Sequence, residues 1–235
     1  MMDTKIPLIL FPGLGADRRI FLSQIEQFDA IVPPWIEPVK GESMEDYGRR
    51  YAQSLEFDGP CYVGGLSFGG MLAPIVASHL GARACILMST IRCGAELPWY
   101  YVLLCGFLSR LSILLWPLVF IAQFLARWCA RLFGWLVGAH RASLFRQFAD
   151  TPTKWIVWAV GALYRWNRLS TEPADYPFPI YHIHGTKDCV LPVRRTTPDV
   201  LIEGAGHVSS ATHSDEVNRF IQICIAKTEG GKIWD

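Results

Sequence analysis

Val63-Gly64-Gly65-Leu66-Ser67-Phe68-Gly69-Gly70 places one serine among four glycines, directly after an apolar run. Two readings compete: a flexible loop, or a bend so tight that only glycine fits beside it. The flanks favour the second. Cys61 to Gly65 reads as a short buried strand and Phe68 to Leu80 as a helix, so the serine stands at a strand-to-helix turn. Small residues two before and two after it would relieve the crowding of such a turn and leave the hydroxyl projecting from the sheet edge.

Working outward, short apolar runs alternate with helical patterns. Ile6 to Phe11, Ala30 to Val32, Ala84 to Ser89, Ile180 to His184 and Val200 to Glu203 read as further strands. Ser43 to Leu55, capped by Ser43 with Asp46 three residues on, and His213 to Lys227 read as helices. Alternation of this kind predicts an α/β fold, a mostly parallel sheet flanked by helices. Pro74 is expected to disturb the helix that follows Ser67.

Composition narrows the function classes. The 235 residues are 51% hydrophobic and 18% charged with a net charge of +1, so a large core is available and nothing points to nucleic acid. Seven cysteines form no paired spacing, and no secretory pattern opens the chain; a cytoplasmic, reduced protein is expected.

Three other stretches end at predicted strands. Phe11-Pro12-Gly13-Leu14-Gly15 follows the first, His184-Gly185-Thr186-Lys187-Asp188 closes another, and Glu203-Gly204-Ala205-Gly206-His207 a third. Serine, acid and histidine thus occur in the chain order of one known triad architecture. On these residues the chain resembles the α/β-hydrolase superfamily. The resemblance implies Ser67 as nucleophile, His207 as general base and Asp188 as the acid that orients it, with the amides of Leu14 and Phe68 as oxyanion hole. It departs from the family where Pro12-Gly13 replaces the usual His-Gly. Neutral His207 would be required, so activity is expected to fall as pH drops through roughly 6 to 7.

Other candidates weigh less. His182 and His184 share a strand face but lack a third ligand, so no metal is expected; His182 reads as a core residue and His184 as a rim residue near the triad. Cys189 reads as packing, and Glu203 as a poorer acid than Asp188. No organic cofactor is implied.

Residues 93–171 read as a helical cap inserted into a core of 1–92 and 172–235. Seven of the nine tryptophans lie there, and Ile91 to Ser170 holds nine Lys/Arg against two Asp/Glu, a net +7 set against −6 for the remainder. Leu118 to Phe133 carries Gln123, Arg127 and Arg131 at four-residue spacing, a thin polar stripe on an apolar helix. Two readings stay open: a cap lining an acyl pocket, or one that also dips into a membrane surface. The uncharged run from Leu111 to Ala126 is shorter than the ~20 residues a span needs. The expected activity is hydrolysis of esters or thioesters of hydrophobic acids. The alternatives are a lyase or acyl transfer at the same site, or a protein that only holds a lipid or small ligand.

Overall fold

A computed structural model of the chain describes residues 6–110, 112–132, 139–169 and 172–230. Thr171, the end of the expected insertion, and Phe133, the end of the striped segment, lie outside them. Five strands form one sheet: β1 (Leu8–Phe11), β2 (Tyr62–Leu66), β3 (Ala84–Met88), β4 (Ile180–Gly185) and β5 (Val200–Ile202). They pair in chain order and every pairing is parallel. A parallel sheet of this kind has all its strand-to-helix loops at one edge, so the segments after β1, β2, β4 and β5 meet there by topology alone.

Strand residues point alternately to two apolar layers. Ile9, Phe11, Val63, Cys85 and Leu87 join a cluster with α2 (Met44–Ser54) and α3 (Phe68–Leu80). Leu8, Leu10, Tyr62, Ile86 and Met88 face the other way, towards Phe28 of α1 (Leu22–Phe28) and Val217, Phe220 and Ile221 of the helix Ser214–Thr228. With both faces covered, β1, β2 and β3 are buried along their whole length, which explains their unbroken apolar sequences.

The expected strand at Ala30–Val32 reduces to one bridge. Leu10 N–H donates to Ile31 O and Ile31 N–H to Leu8 O, both at 2.8 Å. Pro33 and Pro34 follow at once and cannot donate to a ladder, so the pairing stops. The bridge lies on the far side of β1 from β2. The chain therefore reverses its direction of travel across the sheet at β1, the kind of switch point where α/β sheets open a crevice. Ser43 caps α2 as expected, its Oγ accepting from Asp46 N–H at 3.0 Å. Pro74 lies inside α3 without ending it.

Between β3 and β4 the described chain forms α4 (Trp99–Arg110), α5 (Ser112–Leu132), α6 (Ala139–Asp150) and α7 (Thr153–Leu169). Of these, α7 is bound most deeply. Its Trp155 is fully buried, stacks on Trp35 at 4.4 Å, meets Phe68 edge-on at 5.3 Å and donates from Nε1 to Tyr47 Oη at 3.0 Å. After β5 come α8 (Ser209–Thr212) and α9 (Ser214–Thr228).

Candidate active site

Ser67 occupies the one residue between β2 and α3, with φ 54° and ψ −122°. A non-glycine residue with positive φ outside the ordinary wells costs about 1–3 kcal/mol, so its surroundings must enforce it. They do. Ser67 N–H donates to Met88 O at 3.1 Å, and Thr90 Oγ1 donates to Ser67 O at 2.7 Å. The glycines on either side are what permit the turn. A Cβ on Gly65 would lie 2.4 Å from the Gly69 carbonyl carbon, and one on Gly69 would lie 2.1 Å from Phe11 O. The glycines of the opening stretch are thus those of a compressed bend.

The loops after β4 and β5 are tied to one another. Lys187 N–H donates to Ala205 O at 2.9 Å, Thr186 N–H to Ile202 O at 3.0 Å, and Gly204 N–H to Thr186 Oγ1 at 2.9 Å. This lacing sets Asp188 against His207. His207 Nδ1 lies 2.8 Å from Asp188 Oδ2, and His207 Nε2 lies 2.9 Å from Ser67 Oγ. A carboxylate only accepts, so Nδ1 carries the proton and Nε2 is free to accept from the serine hydroxyl. Residues 67, 188 and 207 therefore form one hydrogen-bonded row.

The acid is held from every side. Asp188 Oδ1 accepts from the amides of Val190 and Leu191, each at 2.8 Å. Oδ2, besides His207, has His184 Nε2 at 3.2 Å. Burial opposes its ionisation. The hydrogen bonds from His184, His207 and the Leu191 amide outweigh that and hold the carboxyl well below the usual carboxylate range. It is therefore an anion wherever His207 can act.

His184 corrects an expectation. Read as a rim residue, it is fully buried behind Asp188, because its strand position faces inward. Its single Nε2–H points mainly at Leu191 O, 2.8 Å away, and is shared with Asp188 Oδ2 at 3.2 Å, leaving Nδ1 to accept from His182 Nε2 at 3.3 Å. His182 is a core residue, as expected, and burial together with His184 and Arg92 lowers its pKa to about 3. Sequence reasoning placed His184 near the triad but at its rim instead of behind the acid, and it missed the Val190 and Leu191 amides and Thr90. Cys189, expected to pack, is exposed, since its side chain leaves the loop on the solvent side. Glu203 is exposed as well, whereas Asp188 is buried.

Leu14 and Phe68 both line a cavity with Ser67 and His207. Neither amide is matched with a backbone acceptor among the described residues. Phe68 is the first residue of α3, where N–H groups are free and the helix dipole is positive. The loop bearing Leu14 is held by α6, with Asp17 N–H donating to Gln147 Oε1 at 3.0 Å. The cavity holds about 370 Å³ and is otherwise bounded by apolar side chains. Tyr101, Leu104, Cys105 and Leu108 of α4, and Val160 and Leu163 of α7, form the wall facing Ser67.

A family model described as the alpha/beta hydrolase family matches residues 8–220. The chain belongs to that family. Solved structures agree in fold. MenH from S. aureus superposes with a TM-score of 0.70 at 18% identity, covering 97% of this chain and 96% of that one. A thermophilic esterase from Thermogutta terrifontis gives 0.64 at 17%, over 95% and 90%. A structure from a study of carboxylesterases of the thaumarchaeon Nitrososphaera gargenis gives 0.66 at 18%, over 97% and 92%. At such identities the likeness is one of fold. No match was found among curated proteins. This alpha/beta hydrolase thus places Ser67, Asp188 and His207 at the strand ends its sequence suggested.

Proposed function

We propose that the protein is a serine hydrolase that cleaves esters or thioesters of hydrophobic acids through an acyl-enzyme. The observation that carries this reading is the row Ser67 Oγ–His207 Nε2 at 2.9 Å and His207 Nδ1–Asp188 Oδ2 at 2.8 Å, opening onto an apolar cavity.

In this mechanism the acyl chain lies along Tyr101, Cys105, Leu108 and Leu163, with its carbonyl carbon over Ser67. His207 Nε2 takes the hydroxyl proton as Oγ attacks, and Asp188 stabilises the imidazolium without taking the proton itself. The carbonyl oxygen becomes an oxyanion between the amides of Leu14 and Phe68, a contribution typically of ~10²–10³ in turnover for each donor. The tetrahedral intermediate collapses, the C–O or C–S bond breaks, and His207 gives its proton to the departing alcohol or thiol. Water then attacks the acyl-Ser67 ester by the same route, releasing the acid and restoring the serine. Helices α4 and α7 act as a cap over this chemistry. A protein that only held a lipid would gain nothing from a proton relay behind Ser67, which favours catalysis over simple binding.

The test is a chain-length series of p-nitrophenyl esters on wild type and Ser67→Ala. Turnover with a medium or long acyl optimum, reduced ~10⁴-fold or more in Ser67→Ala, is the expected result. Well-folded wild type with no serine-dependent release from any ester would refute it.

A further inference from the structure

Gln123, the first residue of the thin polar stripe of α5, is turned inward, whereas Arg127 and Arg131 stay exposed. Gln123 is buried and its amide is fully engaged: Nε2 donates to Phe148 O at 3.0 Å and Thr151 O at 2.6 Å, and Oε1 accepts from Thr153 Oγ1 at 2.6 Å. Arg127 Nη2 donates to Ala149 O at 2.9 Å. Leu115, Val119, Ala126 and Ala130 complete the buried stripe. Apart from Arg127 and Arg131, the outward surface of the helix is largely apolar among the described side chains. Leu118, Phe120, Ile121, Phe124 and Leu125 are each more than half exposed, as are Trp99, Leu103 and Phe107 on α4. Turning α5 over to hide these groups would strand Gln123 without its partners, so the fold holds them in the open. Apolar patches of this extent mark contact surfaces.

Charge says what the contact is. Leu97 to Ala149 contains no Asp or Glu, and its five cations are Arg110, Arg127, Arg131, Arg141 and Arg146. All five are exposed. A surface rich in apolar and aromatic groups and in arginines, with Asp150 3.8 Å from Arg127 Nη2 as a neighbouring carboxylate, matches an anionic lipid interface: rings at headgroup depth, guanidiniums on phosphates. Depth is limited. No single described helix is long and apolar enough to cross a membrane, and Trp99–Arg110 and Leu115–Leu132 meet at 115°. Length and composition would let the bent pair enter a bilayer together, but neither helix spans one alone, which fits a shallow seat at the interface.

The same helix walls the cavity. Tyr101, Cys105 and Leu108 face Ser67 from α4, Trp99, Leu103 and Phe107 face outward, and Leu104 does both, lining the cavity while half exposed. We propose that the outer face of α4 and α5 docks on an anionic phospholipid bilayer and that an acyl substrate dissolved in the bilayer reaches Ser67 past Leu104. The second half rests on the hydrolase reading above; the first stands without it.

Flotation with vesicles separates the two. Wild type and Ser67→Ala are both expected to float with vesicles of phosphatidylcholine and phosphatidylglycerol in equal parts. Binding should weaken with phosphatidylcholine alone or at high salt, as screening requires. Phe120→Glu/Phe124→Glu should bind at least tenfold more weakly while keeping the wild-type unfolding temperature and the wild-type turnover of a short soluble ester. Wild type should also cleave a long-chain ester carried in anionic vesicles faster than the double variant does. Should the wild type fail to float, or the double variant float equally well, the docking face is refuted. A lipid-free dimer that the double variant abolishes, without vesicle binding by wild type, would make the face a self-interface and overturn the proposal. Vesicle binding without Ser67-dependent turnover would refute the delivery of substrate and the hydrolase reading while the docking face stands. As a variant on a different helix, Phe107→Glu repeats the binding test should the double variant fail to fold.

Discussion

His184 Nε2 lies 3.2 Å from the same oxygen of Asp188, Oδ2, that receives the His207 hydrogen bond at 2.8 Å. The acid of the row is thus clamped between a histidine at the surface of the cavity and one in the core. His184 does not line the cavity, so under the hydrolase reading proposed above its role is that of a positioning residue. His184→Leu is expected to lower kcat about 10- to 100-fold, the usual penalty for a small misplacement of a reacting group, with KM little changed. His184→Gln, which can still donate to Leu191 O, should recover much of the loss. Equal losses in both variants, or a change confined to KM, would contradict the positioning role.

The bend around Ser67 makes a stability prediction. Gly69→Ala would set a Cβ 2.1 Å from Phe11 O, a backbone atom that cannot yield, and is expected to cost about 3 kcal/mol or more. Gly81→Ala is the control: its φ is +62°, but nothing lies within 4 Å, so only the backbone preference is lost, about 1 kcal/mol. Denaturant unfolding of the two variants measures the difference.

Buried His182 gives the fold an acid sensitivity. Its pKa is lowered to about 3, so between that value and the ordinary ~6.5 the unfolded chain binds a proton that the native state does not. Stability contributed by keeping it neutral is complete above about pH 6.5. It declines by up to ~1.4 kcal/mol per pH unit as pH falls towards 3. Asp188, also held low, adds a loss below about pH 4, where the unfolded carboxyl protonates first. Thermal unfolding between pH 7 and 4.5 should therefore be flatter in His182→Asn than in wild type.

The cavity wall makes a specificity prediction. Val160→Trp narrows the 370 Å³ space from the α7 side. Turnover of long-chain esters is expected to fall about 10- to 100-fold while short esters change little, so the optimum moves to shorter chains. A uniform loss across the series would place the acyl chain elsewhere.

Much of this was legible in the sequence because strand ends in a parallel sheet converge. Once Ser67, Asp188 and His207 were each placed after a strand, topology brought them to one edge, and helix α3 begins and ends where its sequence pattern does. What the sequence did not carry was direction. The spacing of Gln123, Arg127 and Arg131 announced a stripe, but only the carbonyls of Phe148 and Thr151 determine that Gln123 turns inward while Arg127 and Arg131 stay exposed. Likewise His184 looked like a neighbour of the row, and its burial behind Asp188 depends on the Leu191 carbonyl, seven residues on. Ala30–Val32 had the composition of a strand and lacked room for one before two prolines.

The central claim is that Ser67 is a nucleophile activated by His207. Intact-mass and peptide mass spectrometry after treatment with a fluorophosphonate tests it most directly. One adduct on Ser67, formed slowly or not at all in His207→Ala and absent in Ser67→Ala, is the result this account requires. Folded wild type that takes no label, or takes it on another residue, would contradict it.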